Sequence, residues 1–457
     1  MAGAPPSLKE KLKRKKPPSE VVKLPEGISI KKAELNKNHA VIMLGGKCCV
    51  LNEVVDPTFG RIDIDFSSFP DFKNRYCNNR VMVSDSEGRS RSVSVAKLWL
   101  EWEGRREYDG IVFAPGRTID RYYNLYRGFS VEPKKGNWSL LRAHIHNVIC
   151  SGNATHFEYL MAWMANAVQD PGGDKPGTSI VLKGKRGTGK GCFVSAFGKI
   201  FGNHFLPITN PSQLTGRFNQ HLKDAIIVFA DECFYAGDKT AEGALKGMIT
   251  EPEWLIEPKG KDSYTVKNYV RLIVASNEDW IVPAGPEERR FFVLEVSDSG
   301  MQKREYFDPL WREIENGGRA AFLYDLLKLD TSKVDLRQAP KTNALFDQIE
   351  QSMDPVGKFW FEKLRCGTIL EEDQEWKPYA ITTKIYSEYI NFCKNIGKTY
   401  CLAPNSFSKK LKHYARIVVR NRVQSSEYGK REWALFFDDL DACRVYFEQK
   451  ISMKMEW

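Results

Sequence analysis

The middle of the chain alternates short apolar runs with longer segments of helical pattern. Between residues 151 and 330 the apolar runs are TSIVLKG, AIIVFADE, VRLIVASN and RRFFVLEV, and helical segments such as GKGCFVSAFGKIFG and EGALKGMITEP lie between them. Short apolar runs bounded by turn residues are typical of buried strands. Because these strands alternate with helices, the pattern predicts a parallel α/β domain over residues 151–335.

Two further domains are predicted on either side. Residues 25–150 are mixed and rich in aromatic residues, and they predict an N-terminal α+β domain with a short helix ending near Gly104 and a strand at 108–113. The segment APKTNALF (339–346) is predicted to be a linker. Residues 343–457 then predict a third domain with the helices TTKIYSEYINFCKNIG and SFSKKLKHYARIVV and a hairpin over RNRVQSSEYGKREWALFF.

Charge adds a class of partner to this picture. The formal net charge of the 457 residues is +10, which favours an anionic partner, nucleic acid first. Residues 1–24 carry seven Lys/Arg against two Glu and predict a flexible basic tail, either simply solvated, in contact with nucleic acid or read as a nuclear import signal. Residues 381–432 carry eleven Lys/Arg against three Glu, which favours duplex contact, with a basic structural cap as the alternative.

Composition argues against two other classes. The ten cysteines include no C-x-x-C pair, so we expect reduced thiols in an intracellular protein rather than a disulfide framework. No apolar run approaches the roughly 18 to 20 residues of a membrane span. No apolar segment follows the basic residues at the N-terminus, so no signal peptide is expected.

The segment VLKGKRGTGKGCF, residues 181–193, nearly matches the phosphate loop G-x-x-x-x-G-K-[ST]. Lys190 holds the position that contacts the β- and γ-phosphates, whereas Gly191 replaces the Ser or Thr whose hydroxyl holds Mg²⁺. The segment follows an apolar strand and opens a helix, which is the context that the motif requires. The residues predicted to bind ATP are Gly184, Lys185, Arg186, Gly187, Thr188, Gly189, Lys190, Gly191 and Cys192.

Polar groups also mark the three later strands. Asp231 and Glu232 end the run AIIVFADE, and they predict a Mg²⁺ ligand and a group that polarises the attacking water. Asn277 ends RLIVASN and is predicted to contact the γ-phosphate or to orient that water. Arg289 and Arg290 open the last strand, where a guanidinium can stabilise the charge of phosphoryl transfer; a surface ion pair is the alternative for one of them.

Two acidic or basic pairs lie outside this series. The runs that flank PKGKD predict a hairpin with Lys259 and Lys261 near its tip, from which they would hold a nucleic-acid backbone unless the loop is simply solvated. Asp63 and Asp65 in IDIDF have the spacing used by two-metal polymerases. Alternation on a strand explains this acidic pair as well, and we favour that interpretation.

The order of phosphate loop, acidic pair, lysine hairpin, Asn strand and Arg pair, all within about 107 residues, resembles the superfamily III helicases, a compact AAA+ group of DNA viruses, phages and plasmids. The segments LTGRFNQHLKDA and SNEDWIVPAGPEERRFF are similar to the primase-associated helicases of phages and plasmids, which are related to the poxvirus primase–helicase. The strong resemblance covers about residues 105–300.

This resemblance implies a P-loop AAA+ core that uses ATP and Mg²⁺ and acts as a replicative DNA helicase, a homo-hexameric ring that translocates on single-stranded or forked DNA. The residues carried over are the loop lysine, the acidic pair, the polar sensor, the trans-acting arginine and the hairpin lysines: Lys190, Asp231, Glu232, Asn277, Arg289 or Arg290, Lys259 and Lys261. Gly191 departs from the general motif, although the phage members of the group are similar in tolerating glycine there.

The family's primase half is not recognised in this sequence, so a separate primase or polymerase is an expected partner. The C-terminal region is similar to a winged helix, with SFSKKLKHYAR as recognition helix and VQSSEYGKRE as wing. We expect the protein to be located in the cytoplasm of a bacterial host, or in the nucleus if the host is eukaryotic. The alternatives are an AAA+ initiator or loader that does not unwind processively, and a packaging motor, for which no nuclease-like acidic cluster is found after residue 300.

Overall fold

The computed structural model describes residues 26–58, 60–84, 88–233, 239–259, 262–285, 287–398, 400–424, 431–455 and 457. The predicted basic tail, Lys261 and the loop of the predicted wing lie outside these residues. Contacts divide the chain into two compact units, one up to residue 112 together with 118–125, and one of 113–117 together with 126–457. This division falls earlier than the predicted boundary at 150, because Trp138, Leu141 and Ile145 belong to the core of the second unit.

The first unit is a mixed α/β unit, in agreement with the predicted α+β class. Its elements are α1 (Glu26–Asn38), β1 (His39–Leu44), β2 (Lys47–Val55), β3 (Ile62–Ser67), α2 (Phe69–Arg75), β4 (Arg80–Ser84), β5 (Ser90–Ser94), α3 (Val95–Leu100), β6 (Glu107–Tyr108), β7 (Gly110–Val112) and β8 (Tyr122–Asn124). Its largest sheet has the order β3-β2-β1-β6, and Leu35, Phe72 and Trp99 from the three helices pack against it. Along β3, Asp63 and Asp65 alternate with apolar residues. Asp63 pairs with Arg61 at 3.2 Å.

The second unit begins with the segments that build the central sheet. These are α4 (Ser139–His144), a π-helical turn (Ile145–Ile149), α5 (Ala154–Gln169), β9 (Ser179–Lys183), α6 (Lys190–Gly198), a 3₁₀ segment (Lys199–His204), β10 (Phe205–Ile208), α7 (Ser212–Thr215), a 3₁₀ turn (Gln220–Leu222), β11 (Ile227–Asp231), α8 (Lys239–Thr250), β12 (Glu253–Ile256), β13 (Tyr264–Lys267), β14 (Arg271–Ser276) and β15 (Phe291–Glu295). No helix among the described residues is both long and apolar enough to cross a bilayer.

The predicted parallel sheet is confirmed, with the order β10-β11-β14-β9-β15 and every neighbouring pair parallel. Both faces of the sheet are covered. On β9, Ile180 and Leu182 face one core that contains residues of α5 and α6, whereas Val181 faces a second core that contains residues of α8. A parallel sheet buried on both faces accounts for the nearly continuous apolar runs of its strands. All carboxyl ends of the strands therefore lie at one edge and all amino ends at the other.

Helical and antiparallel elements complete the second unit. They are α9 (Arg304–Glu313), a π-helical turn (Ile314–Gly318), α10 (Arg319–Lys328), α11 (Asn343–Ser352), α12 (Pro355–Cys366), β16 (Tyr379–Ile381), α13 (Thr382–Asn395), α14 (Pro404–Tyr414), β17 (Ile417–Gln424), β18 (Arg431–Phe437) and α15 (Leu440–Ile451). The last three strands form an antiparallel sheet of order β16-β18-β17.

The linker predicted at 339–346 is not observed. Thr342 instead caps α11, because its hydroxyl accepts from the Leu345 amide at 3.0 Å and donates to the Val293 carbonyl of β15 at 2.6 Å. The side chains of Val293, Trp360 and Phe437 lie in one continuous hydrophobic cluster. The sheet and the C-terminal helices consequently share a core.

Candidate functional site

The predicted phosphate loop connects the carboxyl end of β9 to the first turn of α6. Gly189 has a φ of 98°, and a Cβ at this position would lie 2.4 Å from His144 Cε1. Only glycine fits both the left-handed backbone and the close neighbour. The backbone N–H groups at the start of α6 have no partners within the helix, so this end of the helix favours an anion.

Lys190 is buried within the loop. It is only 7% exposed, and its ammonium group donates to the carbonyls of Gly184 and Lys185. Burial lowers the pKa of Lys190, while the carboxylates of Glu232 and Asp231 act in the opposite direction. The predicted loop lysine and the predicted acidic pair thus lie close enough to interact electrostatically.

The other side chains of the loop differ in their exposure. Lys185 and Arg186 are exposed, and Lys185 pairs with Asp298 at 2.9 Å. Thr188 is buried and donates to the Lys185 carbonyl at 3.0 Å. Burial raises the pKa of Cys192 to about 12, so this residue is a thiol at neutral pH. The loop can therefore offer a phosphate its backbone N–H groups, Lys190 and the exposed guanidinium of Arg186.

The acidic pair is held in an uncommon backbone conformation. Asp231 is the last residue of β11, and Glu232 follows with a φ of 53°, in the left-handed region that non-glycine residues rarely adopt. The Glu232 amide donates to the Ala275 carbonyl at 2.9 Å, which extends the pairing with β14 by one residue. This contact holds Glu232 beside the carboxyl end of the neighbouring strand.

Asn277 contacts Glu232 directly. Its amide nitrogen, turned toward the carboxylate, donates to both oxygens at 3.0 and 2.5 Å. The Ser276 hydroxyl donates to the same carboxylate at 3.4 Å. The predicted polar sensor and the predicted water-polarising acid are thus one hydrogen-bonded group, a pairing that we did not predict from the sequence.

Asp231 has the features of a cation ligand. Burial raises the pKa of Asp231, and the neighbouring Glu232 carboxylate raises it further, with Lys190 opposing both effects. A buried carboxylate whose charge is disfavoured in this way would be stabilised by Mg²⁺, which prefers oxygen ligands. Gly191 offers no side-chain oxygen, so the hydroxyl that the general motif supplies is missing. The residues present therefore fit a magnesium ion held by Asp231, water and phosphate oxygens.

Two residues that sequence reasoning missed support the loop from behind. His144 is fully buried, with Nδ1 2.9 Å from the Tyr306 hydroxyl and Nε2 3.2 Å from the Gly189 carbonyl. A carbonyl only accepts, so Nε2 carries the hydrogen and Nδ1 accepts from Tyr306. Burial lowers the pKa of His144 and favours this neutral form. No local pattern marks His144, which lies 45 residues before the glycine that it contacts.

The arginine pair lies at the opposite edge of the sheet. The Arg290 carbonyl accepts from the Ser179 amide at 2.7 Å, at the amino end of β9, whereas Lys190 follows the carboxyl end. A strand of five residues rises about 16 Å, which is more than an arginine side chain can bridge. The Arg290 guanidinium donates to the buried Glu288 carboxylate at 3.2 and 3.3 Å. The fold therefore does not bring the arginines to the phosphate loop of the same chain.

Arg289 is exposed and lines a cavity of about 760 Å³ at this amino edge. The cations that line the cavity are Arg117, Lys175, Lys267, Arg289 and Arg337, and the acids are Asp170 and Asp174. The excess of positive charge makes the cavity suitable for an anion.

The predicted lysine hairpin is confirmed as a structural element. β12 and β13 pair antiparallel from Glu253 with Lys267 to Ile256 with Tyr264. Lys259 is exposed in the turn that follows β12. Neither of these strands joins the central sheet.

Comparison with known proteins relates the chain to phage replication. A model of a family of unknown function (DUF5906) matches residues 182–290, which include the loop, the acidic pair, Asn277 and the arginines. The DNA primase-polymerase of Nitratiruptor phage NrS-1 is 26% identical over 265 residues, which are 56% of this chain and 35% of that protein. The chain thus spans about a third of the length of this curated relative.

Solved structures show the same fold. The apo structure of the NrS-1 C-terminal region has a TM-score of 0.63 and 17% identity, covering 90% of this chain and 99% of that one. An A-form apo structure of the same region gives 0.62 and 17%, with 90% and 99% covered. The fold of this chain is therefore similar to that of the NrS-1 C-terminal region.

The contrast between two loop glycines gives a structural prediction. Gly189→Ala should lower the free energy of unfolding by about 1–3 kcal/mol, because the new methyl group meets His144 in a backbone that disfavours alanine. Gly191→Ala is the matched control: it has open space and should be neutral or stabilising by up to about 1 kcal/mol. Urea unfolding followed by circular dichroism measures both, and equal stability of the two variants would contradict this description of the loop.

Proposed function

We propose that this chain is an ATP-driven DNA helicase that acts in phage replication. The observation that supports it most is the meeting, at one edge of the sheet, of the loop lysine Lys190, the acidic pair and Asn277. In this proposal Lys190 binds the β- and γ-phosphates, Asp231 serves the metal, and Glu232 polarises the attacking water. The similarity to a phage DNA primase-polymerase supports the replicative setting.

The chain's own residues account for most of the chemistry that hydrolysis needs. The backbone of the phosphate loop and Lys190 would bind and orient the triphosphate. Glu232 would accept a proton from the water, and Asn277, which already donates to that carboxylate, would fix its direction. When bound through Asp231, Mg²⁺ would neutralise charge on the β- and γ-phosphates. Because Asn277 can donate either to Glu232 or to a γ-phosphate, it is suited to report which nucleotide is bound.

The two further assignments of this proposal are an AAA+ core and a winged-helix-like C-terminal part. The AAA+ core is supported by the phosphate loop, which follows β9, a strand between β14 and β15 in a parallel sheet. The succession of β16, α13, α14 and the β17–β18 hairpin supports the second. The basic helix α14 and this hairpin are where we expect contact with DNA, in addition to Lys259 and Lys261.

The position of the arginines supports a ring. A subunit whose amino edge faces the carboxyl edge of its neighbour would bring Arg289 to the neighbour's nucleotide, and such head-to-tail contacts close into rings. Arg290 is held by Glu288, so we assign the trans-acting role to Arg289. The basic cavity beside Arg289 favours the approach of a phosphate from outside the chain. By resemblance, we propose six subunits.

ATP hydrolysis is tested with DNA-stimulated ATPase and the unwinding of forked substrates. Lys190→Ala should abolish both while the protein stays folded, because the loop lysine is the side chain that neutralises the phosphates. Lys328→Ala, at an exposed lysine of α10, is the control and should retain both activities. Near-parental turnover in Lys190→Ala would overturn the ATPase assignment. Hydrolysis in the parent without strand displacement would favour the initiator or loader instead.

The hairpin lysines test the contact with DNA. Changing Lys259 and Lys261 together to alanine should remove unwinding and DNA stimulation but spare much of the basal ATPase. For every phosphate of a single strand that the protein no longer neutralises, the log–log salt dependence of DNA binding should flatten by about 0.7. Equilibrium binding over a series of salt concentrations measures this slope, with Lys328→Ala as control. An unchanged slope with unwinding preserved would move the DNA-binding site elsewhere.

Mixed subunits test whether the arginine acts on a neighbour. Arg289→Ala should lose about 10³- to 10⁵-fold in turnover, whereas Arg290→Ala should lose less because its guanidinium is held by Glu288. Mixing Arg289→Ala with Lys190→Ala, each inactive alone, should restore some ATPase, since some interfaces then pair an intact lysine with an intact arginine. No recovery despite demonstrated subunit exchange would argue for an arginine acting in cis or for coupling too tight to tolerate one inactive site. Full activity of a monomer would contradict the ring.

A further inference from the structure

The C-terminal hairpin carries a tryptophan on its surface. Trp433 on β18 is 44% exposed, although tryptophan is usually among the more buried residues. Its neighbours along the facing strand, residues 418–422, are all exposed, so this part of the hairpin extends beyond the hydrophobic core. A two-stranded hairpin in water gains little from its own packing. Burial therefore does not explain why an indole ring lies here.

Arginines surround this ring. The guanidinium carbons of Arg420 and Arg422 lie 4.9 and 5.1 Å from the centroid of the Trp433 ring. Arg422 is directly opposite Trp433 in the antiparallel register, and Arg420 lies two residues along on the same side of the hairpin. Arg431, also exposed, is two residues from Trp433 on β18 and shares its side. We call this surface, made of Arg420, Arg422, Arg431 and Trp433, the Trp433 face.

The charge of the surroundings selects an anionic partner. Residues 404–437 contain eight Lys/Arg and two Glu. Of the two, Glu432 is adjacent to Trp433 on β18, so its side chain points to the other side of the hairpin. On the preceding helix α14, Lys409 and Lys412 are exposed. An aromatic ring set among arginines combines a stacking surface with contacts for a phosphate backbone, which together bind single-stranded nucleic acid.

We propose that the Trp433 face binds single-stranded DNA by stacking Trp433 on an unpaired base, with Arg420 and Arg422 on the adjacent backbone phosphates. In a duplex the base faces are already stacked on one another, so a duplex would use the arginines but leave the indole ring without a partner. The cation–π contacts hold the ring in a fixed orientation before the base arrives. This contact requires neither nucleotide nor a ring of subunits, so it stands apart from the proposed ATPase.

The test measures binding of the full-length chain to fluorescent oligo-dT, without nucleotide, over a series of salt concentrations. Trp433→Ala should weaken binding about 5- to 150-fold without changing the salt slope, and Trp433→Phe should retain most of the affinity. Arg420→Ala with Arg422→Ala should instead flatten the slope by up to about 1.4, or about 0.7 for each arginine. Tyr446→Ala is the matched control, because Lys450 lies 5.1 Å from that ring on α15, and it should change neither quantity.

Two further probes separate base stacking from binding through charge alone. For an abasic oligomer with the same number of phosphates, Trp433→Ala should bind as tightly as the parent, because there is no base to stack on. Trp433→Phe keeps the test decisive if Trp433→Ala unfolds, since the quenching of tryptophan emission by oligo-dT should fall in this variant.

Equal loss of affinity for oligo-dT, the abasic oligomer and a blunt duplex would overturn the proposal, as would parental affinity of both Trp433 variants for oligo-dT. The second result would point to a protein partner for the Trp433 face. After either failure, the proposed ATPase would still stand if DNA stimulates hydrolysis. Conversely, a parent protein that does not hydrolyse ATP would leave the stacking measurement unaffected.

Discussion

All five strands of the central sheet run in the same direction, and the chemistry of the chain depends on this constraint. Because the carboxyl ends share one edge, a loop after β9, two acids at the end of β11 and an amide after β14 meet although about ninety residues separate the first from the last. The same constraint moves whatever precedes β15 to the other edge. The fold thus separates the groups that would hold a nucleotide from the arginines that would complete its site.

The structure also explains why a left-handed backbone persists at an acidic residue. Glu232 costs on the order of 1–3 kcal/mol in this conformation, and the Ala275 carbonyl and the amide of Asn277 bind it in return. The bonds come from β14 and the residue that follows it, so the strain at one strand end is supported by its neighbour. Behind the phosphate loop, His144 likewise supports Gly189 by a hydrogen bond to its carbonyl.

Local patterns predict much of the fold but little of this support. The strands, the phosphate loop and both hairpins follow from apolar runs, glycines and turn residues that lie within a few positions of one another. The contacts of His144 and Thr342 join residues that only the tertiary structure brings together. Glu288 binds an arginine two residues away, but its burial cannot be predicted from composition. The sequence predicts a linker over residues 339–346, whereas the Thr342 hydroxyl caps a packed helix. The chemical roles of the site residues stay predictions.

The shared core between the sheet and the C-terminal helices has a mechanical consequence. Thr342 fastens α11 to β15, and Lys183, at the end of β9, pairs with Asp347 on α11 at 3.2 Å. A close-packed interior transmits displacement instead of absorbing it. A small rotation of the sheet would therefore move α12, α13 and the C-terminal hairpin together with it as a rigid body. Since displacement in a rotation grows with distance from the axis, the exposed part of the hairpin would move further than the strands of the central sheet.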